Sequence, residues 1–141
     1  MRFLTLEDFN AVVDEKSKLV IAQESEDNID RAESYALEEV SSYLRSRYDM
    51  DKAFNCQGTE RNAYFVMICC DIALYHLISW LPSRMGFEIR KERYERAIEW
   101  LVSVQNGKAS PLLPLLIDEA TGDNIGSPVR WGSMSKNKYD Y

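Results

Sequence analysis

The sequence is short of the residues on which most small-protein chemistry rests. Its 141 residues include a single histidine, His76, and three cysteines, Cys56, Cys69 and Cys70. One histidine cannot furnish a multi-histidine metal centre, which needs three or four protein ligands. It also leaves a Ser-His-Asp mechanism little material. An odd number of thiols, two of them adjacent, implies no disulfide framework, because a bridge between neighbours is strained. Free thiols point to a reducing compartment. Six glycines and four prolines are too few for collagen or low-complexity chain. An excess of basic residues is missing too. Lys and Arg number 17 against 23 Asp and Glu, a net charge of −6 and an isoelectric point near 4.9. That argues against gripping phosphate backbones, which takes a basic face. No G-x-x-x-x-G-K-S/T, G-x-G-x-x-G, G-x-S-x-G, H-E-x-x-H or C-x-x-C appears. The opening Met1-Arg2-Phe3-Leu4-Thr5-Leu6-Glu7-Asp8 lacks the apolar stretch of a secretory signal, so a soluble cytoplasmic product is expected.

What is present is ordinary for a globular domain: 45% hydrophobic and 28% charged residues. The length suits one domain with a core of its own. Charge is uneven. Residues 1–60 hold 14 acids and 7 bases, whereas residues 61–106 hold 5 acids and 6 bases. From Ala63 to Leu81, 16 of 19 residues are apolar, the exceptions being Asp71, His76 and Ser79. That length nearly spans a bilayer, but a central carboxylate costs about 2.5–3.5 kcal/mol to insert. No membrane span is expected; the segment reads as a buried core helix. A helix apolar all round must be surrounded by protein, and the other helices look too few. A partner chain is therefore expected to complete its cover.

The expected fold class is all-α: a small bundle of three long helices plus a short N-terminal helix, with an extended C-terminal arm. Thr5 suits the N-cap of the short helix, with Glu7 and Asp8 in its first turn and Phe9, Val12 and Val13 on one face. Gln23 to Asp27 reads as an acidic loop. Ile29, Ala32, Ala36, Val40, Tyr43, Leu44 and Tyr48 then recur at helical spacing. Asp30 with Glu33 forms a D-x-x-E cap, though Asp27 or Asn28 could cap one turn earlier. Asp51 to Gly58 reads as a loop. Thr59 caps the next helix, which runs to Leu81 and stops at Pro82. A last helix covers Phe87 to Asn106, with Gly107 closing it and Glu92–Arg96 as a favourable pair. Two regions follow: residues 1–108 as the helical domain, and 109–141 as an extension and docking arm.

Two constellations invite a chemical reading. Cys69 and His76 share a helix face, as a thiol nucleophile and its base would; buried cysteine, however, usually behaves as a small hydrophobe. Glu24, Glu26, Asn28 and Asp30 alternate as calcium-loop ligands do, but the position that must turn sharply is Ile29 and the closing ligand position is Tyr35. No catalytic residue, no cofactor and no metal is expected, and the chain is read as a non-enzyme. The arm is a different matter. Val129, Trp131, Met134, Tyr139 and Tyr141 are residues a free tail has little reason to carry, and aromatic anchors suit partner binding. They are the expected interface; the alternative is that Trp131 folds back on its own bundle.

The order of the pieces is an acidic stretch, then a helix ending Ser42-Tyr43-Leu44-Arg45-Ser46-Arg47-Tyr48, then a core helix Cys70-Asp71-Ile72-Ala73-Leu74-Tyr75-His76-Leu77. Arg93-Tyr94-Glu95-Arg96-Ala97-Ile98-Glu99-Trp100-Leu101 follows, closed by Gly107-Lys108. This resembles the Mu-like prophage family of small head–tail connector proteins, which is similar to the α-helical adaptor or head-completion proteins of long-tailed phages. The resemblance implies a structural virion protein assembled in the host cytoplasm. It would form a homo-oligomeric, dodecameric ring under the portal protein and meet tail or stopper proteins. DNA would cross the channel without specific binding. The rival reading is a non-viral helical protein–protein interaction module.

Overall fold

The computed structural model describes residues 2–79, 86–117 and 122. These residues form an all-α body: α1 Leu6–Val12, α2 Glu15–Gln23, α3 Glu26–Leu44, α4 Met50–Asn55, α5 Ala63–Ser79 and α6 Phe87–Gln105, with a 3-10 turn at Gly58–Glu60. The three long helices expected are α3, α5 and α6, and the short N-terminal one is α1. Thr5 caps α1 reciprocally: its Oγ1 accepts from the Asp8 N–H at 3.2 Å, and Asp8 Oδ2 accepts from the Thr5 N–H at 2.8 Å. Gly107 closes α6 at φ +78°. Its N–H bonds to Val104 O at 3.0 Å and that of Lys108 to Ser103 O at 2.8 Å. That pair of bonds needs a left-handed residue between them, which glycine adopts at little cost.

Several boundaries differ from the sequence expectation. The acidic stretch is not a loop. Asp14 caps α2 by accepting from the Ser17 N–H at 3.2 Å, and Ser25 caps α3 by accepting from the Asn28 N–H at 3.3 Å. The chain thus turns within Glu24 and Ser25, and α3 starts a turn before Asp30. Nor is 51–58 all loop: Asp49 caps α4, which buries Met50, Ala53 and Phe54. Three apolar positions are too few to announce a period in sequence. The core helix starts at Ala63, because Asn62 Oδ1 accepts from the Phe65 N–H at 3.0 Å. The expected end at Leu81 and stop at Pro82 lie outside the described residues.

α5 is the centre. α3 and α6 flank it and α1 packs on it. Tyr64 meets Trp100, Asp71 meets Arg93 and Tyr75 meets Phe87, so α6 runs antiparallel to α5. Eleven of the 17 residues of α5 are buried. Much of the cover expected from a partner chain thus comes from within the chain, where α1 and α4 add to α3 and α6, while Tyr64 stays 49% exposed. Phe3 packs on Phe54 and Phe65 at ring separations of 5.4 and 5.8 Å, tying the N-terminal segment to α4 and α5.

Three polar side chains lock the ends. Glu33, 2 % exposed, accepts the backbone N–H groups of Arg2, Phe3 and Leu4 at 2.7, 2.8 and 2.6 Å. Arg61 grips Asp8 with both terminal nitrogens, at 2.6 and 3.1 Å, and donates to Phe3 O. Arg47 donates to Val104 O at 2.8 Å, a second donor for a carbonyl at the end of α6. The chain beyond Lys108 stays on this corner: Asp49 N–H bonds to Pro114 O at 2.8 Å and Leu116 N–H to Arg47 O at 3.1 Å, around an antiparallel bridge between Tyr48 and Leu115.

Candidate interaction surfaces

The thiol constellation does not assemble. Cys69 and Cys70 are fully buried. Burial pushes the Cys69 thiol well above its ordinary range, and burial followed by the carboxylates of Asp8 and Asp71 pushes Cys70 up as well. A thiol held protonated is a poor nucleophile. His76 sits two turns along α5, roughly 10 Å away, and its Nε2 lies 3.1 Å from Glu39 Oε1 instead.

Glu39 joins three helices. Its second oxygen accepts from the Tyr94 hydroxyl at 2.7 Å, and Tyr94 stacks on Tyr75 with ring centres 4.1 Å apart. Burial, then the bond to Glu39, holds the Tyr94 phenol above its ordinary value. Both carboxylate oxygens are engaged, so the cluster clamps α3, α5 and α6 together. Sequence reasoning missed it. The available signal was an acid at 39 beside the core positions Ala36 and Val40.

Asp71, the lone acid in the apolar run, is 4 % exposed. Arg93 Nε donates to its Oδ1 at 2.7 Å, and Arg90 Nη1 stands 3.9 Å from the same oxygen. Arg90 Nη2 donates to Val12 O at 3.3 Å, at the end of α1. Burial, reinforced by the neighbouring Arg93, lowers the Arg90 pKa. This charge cluster explains how a carboxylate sits in the core helix.

The calcium-like spacing dissolves once 24–30 becomes a helix corner: the Asn28 side chain donates to Glu24 Oε2 at 2.9 Å. Among the described residues no group of three or more His, Cys, Asp or Glu side chains is placed to hold a metal ion. Among them, too, no helix is long and apolar enough to cross a membrane.

Some of the exposed apolar side chains lie near the ends of the α5–α6 pair. At one end Tyr64 is 49% exposed and Leu112 is 89% exposed, the latter held near α5 by a bond from the Asn62 side chain to its carbonyl at 3.4 Å. Towards the other end, Ile89 in the first turn of α6 is 59% exposed. The sequence reading missed all three, since an exposed apolar residue is visible only after the fold says which face is covered. Val129, Trp131, Met134, Tyr139 and Tyr141, the expected interface, lie outside the described residues.

Compared with known proteins, residues 3–125 match the family model described as Bacteriophage Mu, Gp36. No curated protein matches the chain, and no solved structure does.

Proposed function

The chain belongs to the Bacteriophage Mu Gp36 family, and we propose that within it the chain serves as a head–tail connector. It is thus a phage protein; the finer role is our reading. The observation that carries it is the extent of the family match, which takes in every described helix from α1 to α6 and the strap after α6. In this role the protein is a structural, non-catalytic virion component, made in the host cytoplasm. It forms a ring, twelve subunits by analogy with adaptor proteins, beneath the portal protein and bridges it to the tail or stopper.

Two features support the ring. Head-to-tail rings join two different surfaces on each subunit; exposed Tyr64 and Leu112 at one end of the α5–α6 pair suit one of them, and exposed Ile89 towards the other end suits the second. The acidity of residues 1–60, 14 acids to 7 bases, suits a passage that DNA crosses without sticking, because like charge lowers affinity for phosphate. The arm residues Val129, Trp131, Met134, Tyr139 and Tyr141 anchor on a neighbouring protein in this reading. Family membership favours it over a non-viral interaction module.

The test is reconstitution with the cognate portal, because connector proteins can stay monomeric until they meet it. The expected result is a stable complex at physiological salt, seen by electron microscopy as an added ring. A portal that never retains the protein under those conditions overturns the connector role.

A further inference from the structure

We propose that Arg93, held by Asp71 and backed by Arg90, is a docking point for a carboxylate on the α2–α3 corner of a second copy of this chain. The proposal rests on the ring reading, since it concerns how adjacent subunits meet.

Charge is the first ground. Two guanidinium groups converge on one carboxylate. Asp71 Oδ1 receives Arg93 Nε at 2.7 Å, while Arg90 Nη1 stays 3.9 Å off. That nitrogen is buried without a hydrogen-bond partner, and the Arg90 side chain is 9% exposed. Asp71 is therefore the only carboxylate paired with two guanidinium groups among the described residues, and the positive charge is only partly compensated. Asp14 offsets part of it through space but makes no hydrogen bond to Arg90: its carboxylate is exposed and caps α2 through Ser17.

The second is geometry. Asp71 takes only the Nε of Arg93, which fixes the guanidinium plane. Among the described residues the two terminal nitrogens of Arg93 have no partner, and the side chain is 31% exposed. A guanidinium fixed by one carboxylate and open to another is a preorganised bidentate donor. Its half-buried setting makes a second carboxylate worth more here than in an ordinary surface pair.

The third is the occupant. The acid excess of the molecule lies in residues 1–60. Glu24, Glu26 and Asp27 crowd the α2–α3 corner, and Glu26 and Asp27 are exposed. Among the described residues neither Glu26 nor Asp27 has a side-chain hydrogen bond or ion pair. A second copy thus brings the complement that a single copy lacks. Nucleic-acid phosphate is the competing anion, and a chain of net charge −6 repels it.

The experiment measures self-association of the full chain by sedimentation, at high protein concentration alone and then on the portal. Arg93→Glu and the double variant Glu26→Arg/Asp27→Arg should each weaken association roughly ten- to hundred-fold, the range for a charged hydrogen bond. Mixing the two variants should restore it, since the reversed charges again meet. Arg93→Lys keeps the charge and the Asp71 pair but loses the fork. It should weaken association with helicity unchanged, and it stands in should Arg93→Glu fail to fold. Association of Arg93→Lys at wild-type strength, or a mixture that stays dissociated, overturns the proposal. So does a wild-type chain that self-associates in neither setting. Binding of a short DNA duplex that Arg93→Glu abolishes assigns the fork to phosphate and also overturns it. Rings on the portal that ignore every Arg93 variant sink this proposal alone; a portal that is never bound sinks the connector role.

Discussion

Glu33 shows what one buried carboxylate does in this chain. It is on α3, yet it organises residues 2–4 by accepting their three N–H groups. Removing it strands three donors in a closed space. Glu33→Ala should cost about 3 kcal/mol, read from the midpoint of chemical denaturation. The thiols give a second expectation at this scale. Cys69 and Cys70 are buried with raised pKa values, while Cys56 is partly exposed. An aromatic disulfide reagent at neutral pH should titrate Cys56 in the native protein and all three thiols in denaturant. Asp8 gives a third. Burial raises its pKa, but the bonds from Arg61 and Thr5 outweigh that and leave it below its ordinary 3.8. A depressed carboxylate stabilises the fold above the unfolded-state value, and that contribution is lost as pH falls through the folded-state value. The stability difference between wild type and Asp8→Asn should therefore be full at pH 6 and shrink below about pH 4, measured by thermal denaturation along a pH series.

At the scale of elements, local devices bound the helices at several ends and distant contacts hold them together. Asn62 starts α5 and Gly107 ends α6. Asn62→Ala should cost about 1 kcal/mol by orphaning the Phe65 N–H. Gly107→Ala should cost about as much, and for a different reason. An added Cβ would touch only the Arg47 guanidinium at 3.7 Å, an ordinary contact, so the left-handed backbone alone sets the penalty. Thermal denaturation of the two variants checks both. The contrast with Glu33→Ala is instructive: caps tune one helix, whereas Glu33 couples a segment to the body.

At the scale of the whole molecule, the described residues close a core without a second chain, so folding and assembly should be separable. Deleting everything after Gly126 should leave helicity near normal by circular dichroism and abolish assembly on the portal. Lost folding, or unimpaired assembly, would show that the arm does not dock. The net charge of −6 adds that assembly should respond to salt wherever charged groups meet, because exposed pairs are screened over about 10 Å at 0.1 M.

The sequence by itself determined the all-α class, the three long helices and several of their signals: the Thr5 cap, the Gly107 stop and the Glu92–Arg96 pair, now seen at 2.7 Å. These depend on residues within a turn or two, where spacing along the chain is spacing in space. Only the tertiary structure decided the rest. α2 and α4 are too short and too weakly periodic to announce themselves, and packing against the body makes them helical. The distant partners of Glu33, Arg47 and Arg61 lie 29 to 58 residues away. Asp71 read as an anomaly in an apolar run until α6 folded back and brought Arg93, 22 residues on, to within 2.7 Å. Chain periodicity carries no information at such separations. Which polar group ends up buried, and beside what, is settled by how the helices pack, since a buried charge survives only where a distant segment arrives to pair with it.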